Sequence, residues 1–278
     1  MLGDRRRLKV ATIGAAVPEE VLVAARAEIV PVTGIPGEPT DLADRYIEPM
    51  VGERARSQLQ RVLDGSYGGA DLLLFSREAE ASLRLFLALR EVRRLEPGRG
   101  LPPLHLIDLQ HLGTDATRRW NEARIRELCA LLGVDDEALG QAIRECNAAP
   151  AVSGGDGDPR VYVTGSEHAG TGLTINGAVV TGPRVAVAED GDPVAAVARR
   201  YEHPLLARAR ASTADRARAV VEDALAARAD RVVAFYLDGD DGIRWEFPEF
   251  REALESAGIP VTLRDRQPFD QRGQTLDV

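Results

Sequence analysis

The amino-acid sequence predicts an α/β protein with two doubly wound domains, each built on a roughly four-stranded parallel sheet that is flanked by helices. Short apolar runs alternate with segments that have helical spacing of apolar residues along the whole chain. Such alternation favours a parallel sheet that is covered on both faces. It is interrupted once, by the small and polar residues of "PAVSGGDGDP" at 150–159. We therefore expect an N-terminal domain at 1–149 with a helical extension, a Gly-rich linker at 150–159 and a C-terminal domain at 160–278.

In the first domain, four apolar runs predict strands and the segments between and after them predict helices. The predicted strands are "LKVATIG" (8–14), "EIVPVTG" (28–34), "ADLLLFS" (70–76) and "PPLHLIDL" (102–109). The predicted helices lie at 18–27, 41–65, 80–95, 116–133 and 135–149. Pro49 and Gly52 interrupt the second of these helices, and Asp135 or Asp136 is suited to cap the last one.

The second domain repeats the rhythm with one irregularity. The predicted strands are "RVYVTGS" (160–166), "RVAVAED" (184–190), "DRVVAFYL" (230–237) and "IPVTLRD" (259–265). The predicted helices lie at 192–202, 213–229 and 246–258. Between the first two strands, the small-residue run "AGTGLTINGAVVTGP" (169–183) replaces the expected crossover helix. The loss of that helix would open or reshape a cleft at this end of the sheet.

Composition excludes several classes of protein. The formal net charge is −9 and the pI is near 5.1, so the chain has no basic field for nucleic acid. No apolar run reaches 18 residues and the start lacks a signal-peptide core, which predicts a cytoplasmic protein. Lys9 is the only lysine, so neither a Walker loop nor a pyridoxal Schiff base is expected. Cys129 and Cys146 lie in helical patterns and are expected to be packing residues without a disulfide.

Ligands of open α/β sheets bind beyond the carboxyl ends of the strands, so the loops at those ends hold the candidate site residues. The loop "LDGDDG" (237–242) brings Asp240 and Asp241 together directly after an apolar strand. Three interpretations stay open. The loop is a solvated turn whose aspartates cap the next helix, an acid/base site made of a carboxylate pair, or a divalent-cation site.

Two histidines follow predicted strands. His168 lies in the Gly-rich "GSEHAGTG", where backbone N–H groups suit an anion such as a phosphate or carboxylate, and an exposed crossover is the alternative. His111 follows the fourth strand, where it suits general acid/base work, and a packed or helix-capping histidine is the alternative. Neither choice can be made from the residues alone.

The order of several fragments resembles the 2-hydroxyacyl-CoA dehydratase family, which includes the benzoyl-CoA reductase subunits. The similarity covers most of the chain. The fragments are "PEEVLVAA" (18–25), "RSQLQRVLDGSYGGADLLLF" (56–75), "HLIDLQH" (105–111), "EFPEFREALESAGIPV" (246–261) and a shortened Gly-Gln pair at Gly273 and Gln274. The resemblance implies a two-domain α/β subunit with its site between the domains.

Members of this family hold an iron–sulfur cluster through three cysteines and receive an electron from an ATP-driven activator. The resemblance places the three cysteine positions near Gly52, at Ala79 and at Asp240. None of these residues is a thiolate, which an iron–sulfur cluster requires. We therefore expect neither a cluster nor another resident cofactor, and no radical dehydration.

The resemblance and the strand-end loops together predict a redox-neutral, dehydratase-like lyase that acts on a small acyl or acyl-CoA-like substrate in an interdomain cleft. The expected catalytic residues are Asp240, Asp241, His111, His168 and Glu80. The expected substrate-binding residues are Gly165, Ser166, Glu19 and Arg56, and Glu53 and Glu78 add acidity to the same cleft. No metal is expected. The alternative is a non-catalytic subunit that pairs with a cluster-bearing homologue, and either function fits a homodimer or a heterodimer.

Overall fold

A computed structural model describes residues 6–14, 16–77, 79–148, 159–166, 174–175, 177–183, 185–206, 211–269 and 275–276. The chain forms two compact units. Unit 1 comprises Met1–Ala148 and Val187–Glu202, and unit 2 comprises Ala149–Ala186 and His203–Val278. The predicted linker at 150–159 lies outside the described residues except for Pro159. Two units, each with a four-stranded parallel sheet flanked by helices, confirm the predicted fold class.

The sheet of unit 1 contains β1 (Lys9–Ile13), β2 (Glu28–Pro31), β3 (Leu72–Ser76) and β4 (Leu104–Ile107) in the order β2-β1-β3-β4. All three neighbouring pairs are parallel. Every residue of β3 is buried, as expected for a central strand that is covered on both faces.

Helices cover both faces of this sheet. They are α1 (Glu19–Ala24), α2 (Glu53–Leu63), α3 (Glu80–Leu95), α4 (Asp115–Leu132), α5 (Asp136–Ala148) and α6 (Pro193–Arg200). Residues of α2 and α3 build the core on one face, and residues of α1, α4, α5 and α6 build the core on the other. The predicted helix at 41–65 is shorter than expected: two 3-10 turns, Ala43–Arg45 and Pro49–Val51, precede α2. Pro49 begins the second of these turns, and Gly52, with φ of 96°, separates that turn from α2.

The segment Val187–Glu202 corrects the predicted domain boundaries. The sequence assigns it to the second domain, yet it belongs to unit 1. Val187, Val197 and Tyr201 are buried in the same core as α1, α4 and α5. Asn147 of α5 fixes its start, since the Asn147 amide donates to the Val187 carbonyl at 2.8 Å and accepts from the Val187 N–H at 3.1 Å.

The sheet of unit 2 contains β5 (Arg160–Gly165), β7 (Val179–Thr181), β8 (Arg231–Leu237) and β9 (Val261–Gln267) in the order β7-β5-β8-β9, all parallel. A separate parallel pair joins β6 (Thr174–Ile175) and β10 (Thr275–Leu276). The helices are α7 (Thr213–Ala226), α8 (Asp241–Arg244) and α9 (Phe247–Ser256). The predicted strand at 184–190 is wrong, because the strand that pairs with β5 lies at Val179–Thr181, inside the small-residue run.

Both sheets have the same strand order. In each sheet, the second strand along the chain pairs with one side of the first strand, and the third strand pairs with its other side. The strand order therefore reverses direction between β1 and β3 and between β5 and β8, and these two positions are the topological switch points of the sheets. Gly14 and Gly165 follow or end these first strands with φ of 94° and 112°. A Cβ atom at Gly14 would collide with Ser76 Oγ, and one at Gly165 with the Phe235 carbonyl oxygen. Glycine is therefore required at both switch points, where ligands of such sheets bind.

Candidate functional site

The predicted site residues are divided between the two units. Glu19, Arg56, Glu80 and His111 belong to unit 1. Gly165, Ser166, Asp240 and Asp241 belong to unit 2. His168 and Glu78 lie outside the described residues.

The loop after β4 is held rigidly by α4. The Asn121 side chain accepts from the Gln110 N–H and donates to the Gln110 carbonyl, both at 2.7 Å, and Asn121 is fully buried. The Trp120 indole N–H donates to the Asp108 carbonyl at 2.8 Å. Because backbone groups on both sides of Leu109 are tied to one helix, the loop that leads to His111 has a fixed conformation.

His111 directly follows Gln110, the residue that Asn121 holds, and its ring is half-buried. Its Nδ1 lies 2.7 Å from the carbonyl oxygen of Tyr201, and the two rings lie 6.3 Å apart at a tilt of 55°. A carbonyl accepts only, so Nδ1 carries the proton and donates it in this bond. In the neutral ring, the second nitrogen, Nε2, then holds the lone pair, which is the form of imidazole that can remove a proton.

The acceptor carbonyl belongs to a turn that is anchored by buried charges. Arg200 Nη1 donates to Glu20 Oε1, and Arg200 Nη2 lies 3.2 Å from the Tyr201 hydroxyl. Glu20 is only 1% exposed, and its Oε2 atom has no hydrogen-bond partner among the described residues. Burial raises the pKa of Glu20 above its ordinary value, although the positive charge of Arg200 opposes that rise.

The end of β3 supplies a cation beside the same loop. Arg77 Nη1 donates to Asp108 Oδ2 at 2.8 Å, and Gln110 Nε2 donates to Asp108 Oδ1 at 2.8 Å. The Arg77 side chain is about half exposed, whereas Asp108 is mostly buried. Asp108 therefore orients a guanidinium that keeps donors available to solvent or to an anionic ligand.

Three residues of unit 1 that were predicted to be catalytic or substrate-binding, Glu80, Glu19 and Arg56, are either exposed to solvent or bonded to other protein groups. The Glu80 side chain is 71% exposed and pairs with Arg84 at 3.2 Å, and Glu19 is exposed on a helix of six residues. Arg56 is committed to protein contacts: its Nε and Nη2 donate to Asp44 at 2.6 Å, and Nη2 also donates to Thr40 at 2.7 Å. The Arg56 site thus fastens the segment before α2, which explains this arginine without a substrate.

Gly165 and Ser166 lie at the carboxyl edge of unit 2, as predicted, and both have structural roles there. The Ser166 N–H donates to the Phe235 carbonyl at 2.8 Å, and its hydroxyl accepts from the Leu237 N–H at 3.1 Å. These two bonds continue the β5/β8 pairing beyond Gly165, where the strands approach too closely for a side chain.

The acidic loop after β8 is a tight turn. The Asp238 N–H donates to the Gln267 carbonyl at 2.8 Å, and the Asp240 N–H donates to the Leu237 carbonyl at 3.2 Å. Asp240 is half-buried and its side chain makes no capping hydrogen bond to α8, which begins at Asp241. The predicted capping role of Asp240 is therefore wrong, and its acid/base role stays a prediction.

Neither cysteine is suited to nucleophilic chemistry. Among the described residues, neither Cys129 nor Cys146 forms a disulfide, and burial raises the pKa of each to about 11. The negative charge of Glu20 adds to the rise at Cys146. Within the described ranges, no group of three or more His, Cys, Asp or Glu side chains is placed to hold a metal ion, and no helix has the length and apolar character of a membrane span.

Sequence reasoning missed Asn121, Glu20 and Arg200. Asn121 could have been found, because it lies on the apolar stripe of α4 between Thr117 and Ile125, where a polar residue needs a partner. Arg200 follows the buried Val197 by three positions on α6, which is a weaker signal. No sequence pattern separates the buried Glu20 from the exposed Glu19 beside it.

Comparison with known proteins adds no relative, since no family model and no curated protein matches this chain.

Proposed function

We propose that the chain is a redox-neutral lyase of the dehydratase type, which acts on a small acyl thioester at the carboxyl edge of the unit 1 sheet. His111 is the proton-transfer group in this proposal. The observation that carries it is the hydrogen bond from His111 Nδ1 to the Tyr201 carbonyl, which leaves Nε2 as a base on a half-buried ring. The position of His111 beyond β4 supports it, because ligands of open α/β sheets bind at this edge.

The chemistry of a histidine base favours one class of substrate. In a 3-hydroxyacyl thioester, the carbonyl group acidifies the Cα proton, whereas the Cβ proton of a 2-hydroxyacyl thioester has no such activation. His111 Nε2 removes the Cα proton, the Cα–H electron pair forms the Cα=Cβ bond, and the Cβ–O bond breaks. The hydroxyl group takes a proton from solvent and leaves as water, and His111 returns the proton that it removed to solvent, so no electron donor is needed.

A cation at the same edge suits the negative charges of such a substrate. Arg77 is oriented by Asp108 at 2.8 Å and remains about half exposed. Guanidinium groups bind carboxylates and phosphates through two parallel hydrogen bonds. We assign Arg77 to the anionic part of the acyl carrier or of the acyl chain.

The resemblance to 2-hydroxyacyl-CoA dehydratases supports an acyl thioester as substrate, and the loss of the cluster thiols supports a reaction without electron transfer. The same resemblance supports a second chain as partner, either another copy or a homologous subunit. Light scattering of the purified chain checks this, and a monomer at micromolar concentration would exclude the homodimer.

The test is hydration of crotonyl-CoA, the reverse reaction, followed by loss of the enoyl-thioester absorbance. The purified wild-type chain is compared with His111→Gln and with the control His203→Gln, which removes a histidine of unit 2. We expect His111→Gln to lower the rate roughly 10²- to 10⁴-fold, as removal of a general base does, and His203→Gln to leave it unchanged. A rate that His111→Gln does not change refutes the assignment, and an inactive wild-type chain favours the non-catalytic subunit.

A further inference from the structure

We infer that the turn Arg200–Glu202, which begins at the last residue of α6, is a positioning device for His111, with Glu202 and Arg118 as its positioning residues. This inference rests on the proposed function of His111. The turn provides the Tyr201 carbonyl that accepts the Nδ1 proton. A backbone carbonyl orients an imidazole only if its own peptide is held still, so the anchors of the turn decide whether it can do so.

The first anchor connects the turn to α4. Arg118 donates to Glu202 through Nε at 2.8 Å and through Nη2 at 3.0 Å, and the Glu202 side chain is 18% exposed. Two parallel bonds between a guanidinium and a carboxylate fix direction as well as distance. Gly113 lies against this pair, since a Cβ at Gly113 would be 3.6 Å from Glu202 Oε2.

The same helix therefore holds both sides of the His111 hydrogen bond. Asn121 of α4 binds the backbone of Gln110, the residue before His111, and Arg118 of α4 binds the residue after Tyr201. Donor and acceptor are each one residue away from a contact to α4. Relative movement of the ring and the carbonyl thus requires breaking at least one of these contacts.

The second anchor lies inside the core. The Tyr201 side chain is 1% exposed, and the Arg200 guanidinium lies 5.3 Å from the Tyr201 ring centroid while it pairs with Glu20 of α1. The buried ring fixes the peptide that carries the carbonyl. The turn is therefore held by α1 on one side and by α4 on the other.

This arrangement sets the tautomer of His111. A neutral imidazole places its single proton on either ring nitrogen, and a fixed carbonyl at Nδ1 selects the Nδ1–H form. When Nε2 takes up a proton, Nδ1–H still donates to the same carbonyl, so the ring keeps its orientation in both protonation states. Loss of the Arg118–Glu202 anchor would also allow the Nε2–H tautomer to form. That tautomer cannot accept a proton at Nε2.

The test measures the tautomer of His111 directly, by ¹⁵N NMR of histidine-labelled full-length chain without substrate, at a pH where the ring is neutral. We compare wild type with Glu202→Met and with Arg118→Met, which remove the first anchor from the side of the turn and from the side of α4. The matched control is Arg126→Met, because Arg126 joins α4 to Asp192 at the opposite end of α6 at 2.9 Å. Crotonyl-CoA hydration is measured on the same samples.

We expect the wild type and Arg126→Met to show Nδ1–H, and the two anchor variants to show Nε2–H or a mixture. Where hydration occurs, kcat of the anchor variants falls roughly 10- to 100-fold with little change in KM, as misplacement of a catalytic group does. An Nδ1–H tautomer that neither anchor variant changes overturns the inference, even if hydration falls. A changed tautomer in a chain that does not hydrate crotonyl-CoA upholds the positioning role and refutes the proposed function instead.

Discussion

Replacement of Glu20 by leucine should strongly destabilise unit 1, because it leaves Arg200 buried without its carboxylate partner. Removal of one member of a buried ion pair costs about 3–5 kcal/mol. Arg200 is 17% exposed and keeps the hydrogen bond to the Tyr201 hydroxyl, so we expect the lower end of that range, about 3 kcal/mol. Arg200→Met alone leaves a desolvated carboxyl whose pKa is already raised by burial, so its cost should be smaller.

The double variant shows how much of the loss of stability comes from breaking the Glu20–Arg200 ion pair and how much comes from altered packing of the core. Glu20→Leu with Arg200→Met replaces both charges by apolar side chains, and we expect a stability within about 1 kcal/mol of wild type. If the double variant matches wild type, the interaction free energy from the double-mutant cycle equals the sum of the two single costs, so it should be at least about 3 kcal/mol.

The two tryptophans make this measurement specific to unit 1. Trp120 lies in α4 of unit 1, and Trp245 is an exposed residue of unit 2. Urea unfolding is therefore followed by fluorescence in a Trp245→Phe background, in which Trp120 is the only reporter. A loss below about 1 kcal/mol for Glu20→Leu, or a double variant as unstable as the sum of the single ones, would refute the buried-pair reasoning.

Four further substitutions have predicted effects on stability. Arg228 follows the C-cap of α7 and has φ of 54°, so Arg228→Gly should stabilise unit 2 by about 0.5–1 kcal/mol. Gly258 has φ of 78°, so Gly258→Ala should destabilise unit 2 by about 1 kcal/mol. Thermal unfolding measures both changes, and a lower melting temperature for Arg228→Gly would contradict backbone strain at Arg228. Asn121→Asp should lower the free energy of unfolding by about 2–4 kcal/mol in urea, since an anionic oxygen replaces the buried amide donor to the Gln110 carbonyl. An unchanged free energy of unfolding would show that this hydrogen bond is dispensable. Hydrogen bonds from Arg56 hold the pKa of Asp44 below its ordinary 3.8, so folding favours the ionised form. That stabilisation is present above pH 3.8 and is lost as the pH falls through the lowered pKa, so Asp44→Asn should lose less stability on acidification than wild type; identical acid titrations of the two would contradict it.

Most of the strand and helix positions follow from patterns that act locally, and these could be predicted. Alternating strands and helices allow few parallel arrangements, and both sheets adopt one of them. The placement of α6 could not be predicted in this way. Its apolar stripe shows that one face is buried, but periodicity does not say against which sheet. The apolar residues of the predicted strand at 184–190 have the same ambiguity, because Val187 is buried in a segment that has no regular secondary structure.

The candidate site shows the same division between local and tertiary information. The sequence places His111 at a strand end, and that position holds in the structure. It cannot show that the acceptor for the His111 ring lies 90 residues later along the chain. Arg56 illustrates the opposite case, because a residue chosen for a ligand is already bound to Asp44 and Thr40.

The measurement that tests the central claim most directly is hydrogen exchange at Cα of butyryl-CoA in D₂O, followed by NMR. Butyryl-CoA has Cα protons and no Cβ hydroxyl, so exchange reports proton removal without elimination. We predict that wild type catalyses the exchange, that Asp240→Asn retains it and that His111→Gln abolishes it. Exchange that survives in His111→Gln and disappears in Asp240→Asn would contradict the assignment and place the base in the acidic loop of unit 2.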